Sequence, residues 1–274
     1  MKSLWRFLQF LRFPMFLVPV LIFGVGMAAS GAWWPLGQQG ALALGAMTLL
    51  AAATFTYNGY EDRFIDERKG NAFAAQHPAA AAWVSGGLYA GSLTVAAALG
   101  TRPLMLFLVY TLCSVAYSRW LVKILVIKNF AAALLSAILV LLGGTVVGQV
   151  TTTHIILAVT IFFAITAMEI VKDIEDLPVD AGYRRTLPAV LPLPVLRRIV
   201  LGLVLLAATA LLLLPHSTQT YLVALGPALI CFLTAALLLP PKLSPHAGRP
   251  SRQLLYAGLW FGALAMLLAV RSTA

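Results

Sequence analysis

Carboxylates are scarce in this chain. Only nine of its 274 residues are Asp or Glu, against 19 Lys and Arg, and charged residues of both signs make up only 10%. With 61% hydrophobic residues as well, this composition excludes a soluble globular domain of ordinary make-up. Cysteine is nearly missing: Cys113 and Cys231 both lie inside apolar runs, which argues against a disulfide framework and predicts small buried hydrophobes. The four histidines, His77, His154, His216 and His246, have no metal-ligand spacing and are expected at interfacial surfaces. A net charge of +10 could suit nucleic acid, but the bases are scattered between apolar segments and form no continuous patch. No nucleic-acid partner is expected, and the bases read as topology signals and phosphate ligands.

Apolar runs fill the space that charge leaves. Uncharged stretches of about 18 residues or more recur, each long enough to cross about 30 Å of hydrocarbon. Hydropathy predicts an all-α integral membrane protein with nine transmembrane helices in a single membrane domain, 1–274. The predicted spans are 14–34, 41–62, 80–100, 103–120, 126–147, 154–173, 196–214, 220–239 and 253–270. Arg102-Pro103, Pro215-His216 and Pro240-Pro241 punctuate them, and the least defined boundary is 120–126. Lys2 to Arg12 with Ala28-Ala29-Ser30 resembles a signal peptide. Because many spans follow, and Pro14 and Trp33-Trp34 bracket a full membrane width, a retained first helix is expected. Tryptophans near the predicted interfaces fit an aromatic belt, and Gly143-Gly144 and Gly148 fit close helix packing.

Counting bases orients the bundle. With the N-terminus cytoplasmic, only Arg102 and Arg271 of the 19 Lys and Arg fall outside, which leaves 17 inside, as positively charged loops require. The same parity sends the ends of the second and sixth helices to the cytoplasmic face, where a site would open.

Those two ends carry every carboxylate in the chain. Glu61 to Glu67 holds four and Glu169 to Asp180 holds five. At about 100° per residue Asn58, Asp62 and Asp66 share a helix face, and so do Asp173, Asp176 and Asp180. Crowded carboxylates repel unless a cation sits among them, and an oxygen-only set suits a hard ion such as magnesium. Magnesium takes one or two carboxylates and completes its shell with water and substrate phosphate, so two clusters imply a bridged phosphate ligand. The segments above the acids, 41–55 and 155–167, are almost wholly apolar. A diphosphate head with a hydrocarbon tail, an isoprenoid diphosphate, matches both regions. Ionisable groups at the ends of membrane helices are costly unless they face a polar cavity, which outweighs the plainer reading of a solvated acidic loop.

These residues resemble the UbiA superfamily of intramembrane prenyltransferases, whose hallmarks are N-x-x-x-D-x-x-x-D and a later D-x-x-x-D. Here they read Asn58, Asp62, Asp66 and Asp176, Asp180. The resemblance takes in Arg12 with Pro14, Tyr117-Ser118 with Lys123 and Asn129, Lys172-Asp173, Gly182 and Thr186-Leu187-Pro188. It implies a helical bundle around a central cavity, with magnesium as cofactor. Asn58, Asp62, Asp66, Asp176 and Asp180, assisted by Asp173, would carry the metal. Asn58, Tyr117, Ser118, Lys123, Arg12 and Arg119 would contact the diphosphate, and Lys123 would join the four motif aspartates in catalysis.

The expected reaction is prenyl transfer from an isoprenoid diphosphate to an aromatic or lipid acceptor, through an allylic carbocation and with release of diphosphate. The resemblance takes in relatives of both the 4-hydroxybenzoate polyprenyltransferase and the digeranylgeranylglyceryl phosphate synthase type, but the chain departs from the family's pattern at Gly59, at Glu67 to Phe73 and at Pro178-Val179, which leaves the transferase assignment standing and the acceptor unassigned. The run Glu169 to Asp176 is similar to the archaeal lipid-ether branch, that of digeranylgeranylglyceryl phosphate synthase. A cation transporter or channel is one alternative, though its acids would be expected near mid-bilayer. A magnesium-dependent alcohol phosphotransferase is another, but the chain lacks the D-G-x-x-A-R start of that chemistry.

Overall fold

The structure is a computed structural model that describes residues 7–13, 15–31, 37–180, 184–214, 219–238 and 249–271. Pro14, Trp33, Trp34, Gly182, His216 and His246 lie outside the described residues. No strand occurs among the described residues, and each predicted span overlaps a helix, the first of them only over Leu17–Ala29. We number these α1 (Leu17–Ala29), α2 (Gln38–Glu61), α3 (Pro78–Ala98), α4 (Thr101–Arg119), α5 (Ile127–Val147), α6 (Thr152–Asp180), α7 (Leu193–Leu212), α8 (Gln219–Leu237) and α9 (Arg249–Arg271). By length and composition α2, α4, α5, α6 and α7 can each cross a membrane. Large apolar side chains stand on the outside of the bundle, among them Leu112, Leu213 and Ile230 at 60%, 67% and 65% exposure, a surface that calls for lipid. The protein is an integral membrane protein.

Chain neighbours pack side by side, and the bundle closes because α1 also touches α5 and α9. α6 lies against α5, α7 and α9 and is the most buried of the five candidate spans, at 72%. That position fits its sequence, since Ala164, Ala167 and Ala158 let neighbours approach while Ile161, Ile165 and Ile170 fill the gaps.

The α1–α5 crossing depends on glycine. A Cβ on Gly26 would stand 2.1 Å from the Val140 carbonyl oxygen, and one on Gly143 would stand 2.2 Å from that of Phe23. Backbone occupies both spaces, so a side chain there pushes the helices apart. Gly26→Ala and Gly143→Ala are each expected to destabilise by about 1–3 kcal/mol, the usual cost of overpacking. Thermal unfolding in detergent reads this, with Gly45→Ala, which meets open space, as the control.

Three sequence expectations change. α6 does not stop at residue 173 but continues through Pro178 to Asp180. Pro178 has no N–H for the Ile174 carbonyl and its ring crowds that group, a cost confined to the last turn of the helix. Cys113 is exposed on α4, not buried. His154 is fully buried, not interfacial. Its Nδ1 accepts from the Thr151 N–H at 3.1 Å, so Nε2–H donates to the Gly26 carbonyl at 2.9 Å, with Ser30 Oγ 3.1 Å away. Gly144 makes room for the ring, because a Cβ there would lie 2.4 Å from Nε2.

Candidate functional site

The first acidic window straddles a joint. α2 ends at Glu61, Asp62 caps it with φ −89° and ψ 11°, and a short helix, Arg63–Arg68, follows. Backbone bonds from the Asp62 N–H to the Asn58 carbonyl and from the Asp66 N–H to the Asp62 carbonyl, both 2.9 Å, carry helical spacing across the joint. Asn58, Asp62 and Asp66 therefore keep a common face, and all three line one cavity of about 360 Å³. Asp173, Asp176 and Asp180 reach the same cavity from α6.

The two windows are tied to each other. Arg184, four residues beyond Asp180, places Nη2 3.4 Å from Asp62 Oδ2 and Nε 3.4 Å from Asp180 Oδ1. Lys69, just after the first window, donates to Asp176 Oδ2 in the second at 2.7 Å. Arg12 donates to Asp66 Oδ2 at 2.8 Å. Burial opposes the charge on Arg12, but Asp66 and Asp62 outweigh it and raise its pKa above the ordinary value. Against the same burial, Asp62 and Asp180 raise that of Arg184. Both stay cationic at any pH the fold survives.

In all, six carboxylates and six Lys or Arg line the cavity, so its formal charge balances. The rest of the wall combines polar groups such as Thr54, Ser118 and Ser136 with apolar side chains, among them Val18, Ile22, Phe55, Leu135 and Ile165. A smaller apolar cavity of about 40 Å³ shares Val18 and Ile22 with it and continues to Val25, Phe232 and Leu259.

The other sequence candidates divide. Arg12, Tyr117 and Ser118 line the cavity. Arg119 and Lys123 do not; both are exposed, and the Arg119 guanidinium lies over the Trp120 ring at 5.7 Å. Sequence reasoning missed Lys69, Lys128, Glu169, Arg184, Arg252 and Tyr256, all on the cavity wall. Periodicity held a signal for some of them: Arg184 follows Asp180 by four residues, and Arg252 and Tyr256 are four apart on α9.

The donor set suits a hard divalent ion. Asp180 Oδ1 is buried without a hydrogen bond among the described residues, and every side-chain donor from the two windows is oxygen. Among the described residues no three Asp, Glu, His or Cys are grouped tightly enough to hold an ion by themselves. A magnesium ion that shares its shell with phosphate and water needs only one or two carboxylates, so this spread is compatible with it.

The sequence profile of the UbiA prenyltransferase family matches residues 16–247, most of the chain. The chain belongs to the UbiA prenyltransferase family. No curated protein matches it. Its fold is that of solved UbiA proteins. A structure of digeranylgeranylglyceryl phosphate synthase in membranes shares 20% identity, covers 99% of this chain and 100% of its own, and has a TM-score of 0.74. A UbiA homologue from Archaeoglobus fulgidus bound to GPP and Mg2+ shares 19% identity over 95% of this chain and 99% of its own, at 0.66. One from Aeropyrum pernix K1, without ligand, shares 13% over 93% and 97%, at 0.73.

Proposed function

We propose that this UbiA-family protein transfers a prenyl chain from an isoprenoid diphosphate to an aromatic or lipid acceptor inside the membrane, with Mg2+ as cofactor. The observation that carries this reading is the cross-pairing of the two motifs over one cavity, Arg184 to Asp62 and Asp180, and Lys69 to Asp176. Family membership and the GPP and Mg2+ bound by the Archaeoglobus homologue support it. In this reading all nine helices span the membrane as a single domain, the N-terminus is cytoplasmic and the cavity opens to the cytoplasm.

Asn58, Asp62, Asp66, Asp176 and Asp180 would hold the magnesium. When bound, it offsets the charge of the diphosphate and makes it a better leaving group. Arg12, Lys69 and Arg184 exchange their carboxylate partners for phosphoryl oxygens, so bases already placed in the cavity need little reorganisation as the C–O bond breaks. The buried Ser118 hydroxyl, which has no hydrogen-bond partner among the described residues, turns to the diphosphate. The apolar wall keeps water from the allylic cation, and the acceptor attacks C1.

The prenyl tail lies along Val18 and Ile22 toward the smaller cavity. Ile22→Trp is then expected to lower kcat/KM for geranylgeranyl diphosphate about tenfold more than for dimethylallyl diphosphate, the scale set by a lost apolar subsite. Steady-state diphosphate release with the two donors measures this.

The reaction itself is tested with detergent-purified protein, magnesium, labelled prenyl diphosphates and a panel of phenolic acids and glycerophosphate lipids. One diphosphate should be released per prenylated product, identified by mass. Cation flux in liposomes without prenyl substrate, and no diphosphate release, would replace the transferase with a transporter.

A further inference from the structure

Several unfavourable choices meet between α4 and α5. One 3-10 turn, Leu121–Lys123, follows α4, and Val126 caps α5 with φ 63°. A β-branched residue in left-handed backbone is strained and persists only where its surroundings enforce it. Lys128 then stands in the first turn of α5, where the helix dipole disfavours a cation. Its side chain is buried at 6% exposure against Asp173 at 2%, which takes both charges out of water. Meanwhile Lys123, which the resemblance assigned to the diphosphate, is exposed, and its neighbour Val122 lines the cavity.

The geometry gives this arrangement a use. Lys128 lines the cavity and commits one of its three ammonium N–H donors to Asp173 Oδ1; among the described residues its side chain forms no other hydrogen bond. Asp173 has both oxygens engaged, Oδ1 by Lys128 and Oδ2 by Asn129 Nδ2 at 3.1 Å. A buried carboxylate so occupied is better placed to anchor a cation than to ligate a metal.

We propose that Lys128, not Lys123, is the lysine that binds the diphosphate, and that Asp173 is a positioning residue which, with Asn129, holds its ammonium at the cavity wall. This rests on the prenyl diphosphate reading above. Two N–H donors remain for phosphoryl oxygens, as charge-assisted bonds. As the C–O bond breaks, the electron pair stays on the diphosphate oxygen and Lys128 stabilises that charge with no proton transferred.

The test uses the full chain in detergent with magnesium and geranyl diphosphate, following equilibrium binding, diphosphate release and the magnesium concentration for half-activity. Lys128→Met should lower kcat/KM about 10²-fold, at least about tenfold more than Lys123→Met, and Lys128→Arg should recover part of the loss. Asp173→Asn should lower kcat/KM while the magnesium requirement shifts less than about twofold. The double variant Lys128→Met/Asp173→Asn replaces the buried ion pair with neutral groups, a change folds generally tolerate, and should lose no more than Lys128→Met alone. A double variant with wild-type turnover, a larger loss at Lys123→Met, or a tenfold rise in magnesium requirement for Asp173→Asn overturns the proposal and leaves the prenyl reading intact. Wild-type protein that neither binds nor cleaves any prenyl diphosphate overturns both.

Discussion

With the divalent ion chelated, diphosphate release from geranyl diphosphate is expected to fall by about 10³-fold or more. Metal stabilisation of a leaving group is worth several kcal/mol, and each 1.36 kcal/mol is about tenfold in rate. The loss is steep because the six carboxylates cancel the six Lys and Arg of the cavity, so without the ion no net positive charge is left to offset the diphosphate. Magnesium or manganese should restore the rate. Calcium, larger and satisfied by looser geometry, should restore little of it. Chelation should nevertheless leave the unfolding temperature nearly unchanged, because Arg12, Lys69, Lys128 and Arg184 already pair with the carboxylates. A midpoint that collapses in chelator would mean the ion is structural.

Asp62→Ala and Asp180→Ala should each lower kcat by about 10²–10³-fold, in line with the loss of other groups that act on the transition state, about 2.7–4 kcal/mol. Both aspartates face Arg184, at 3.4 Å each. Removing either loosens that arginine as well as the metal, so the double variant should lose much less than the product of the single losses. Purely additive losses would mean that the two windows act separately. Single-turnover diphosphate release, with circular dichroism to confirm the helical fold, measures both. Glu67→Ala lies outside the cavity and should stay near the wild-type rate.

How much of this was legible in sequence depended on what each inference required. Helices were readable because a span needs a long apolar run, and the site because a chain with nine carboxylates concentrates them all in two windows. Helix parity allowed the ends of α2 and α6 to meet, and the cross-window contacts themselves came only with the structure. Side-chain facing was less readable. A helix in lipid can be apolar on every side, so nothing in the sequence marked Cys113 as outward. The burial of His154 depends on the notch at Gly144 in the neighbouring helix, a relation no local pattern carries. Spacing rules assume continuous helix, and between Arg119 and Ile127 the chain passes through a 3-10 turn and a left-handed valine. That break puts Lys128 on the cavity wall and leaves Lys123, the lysine the resemblance implies, exposed outside it. Arg184 read as an ordinary cytoplasmic charge because its partner Asp62 is 122 residues away.

In the proposed function both acidic windows grip one diphosphate. Its most direct test is crystallographic: the protein with manganese and a non-hydrolysable thio analogue of geranyl diphosphate, with anomalous scattering locating the metal. Manganese is expected within coordination distance of Asp62 or Asp66 and likewise at Asp176 or Asp180, with the diphosphate between them and its tail along Val18 and Ile22. Manganese at one window alone, with the diphosphate outside the cavity, would contradict it.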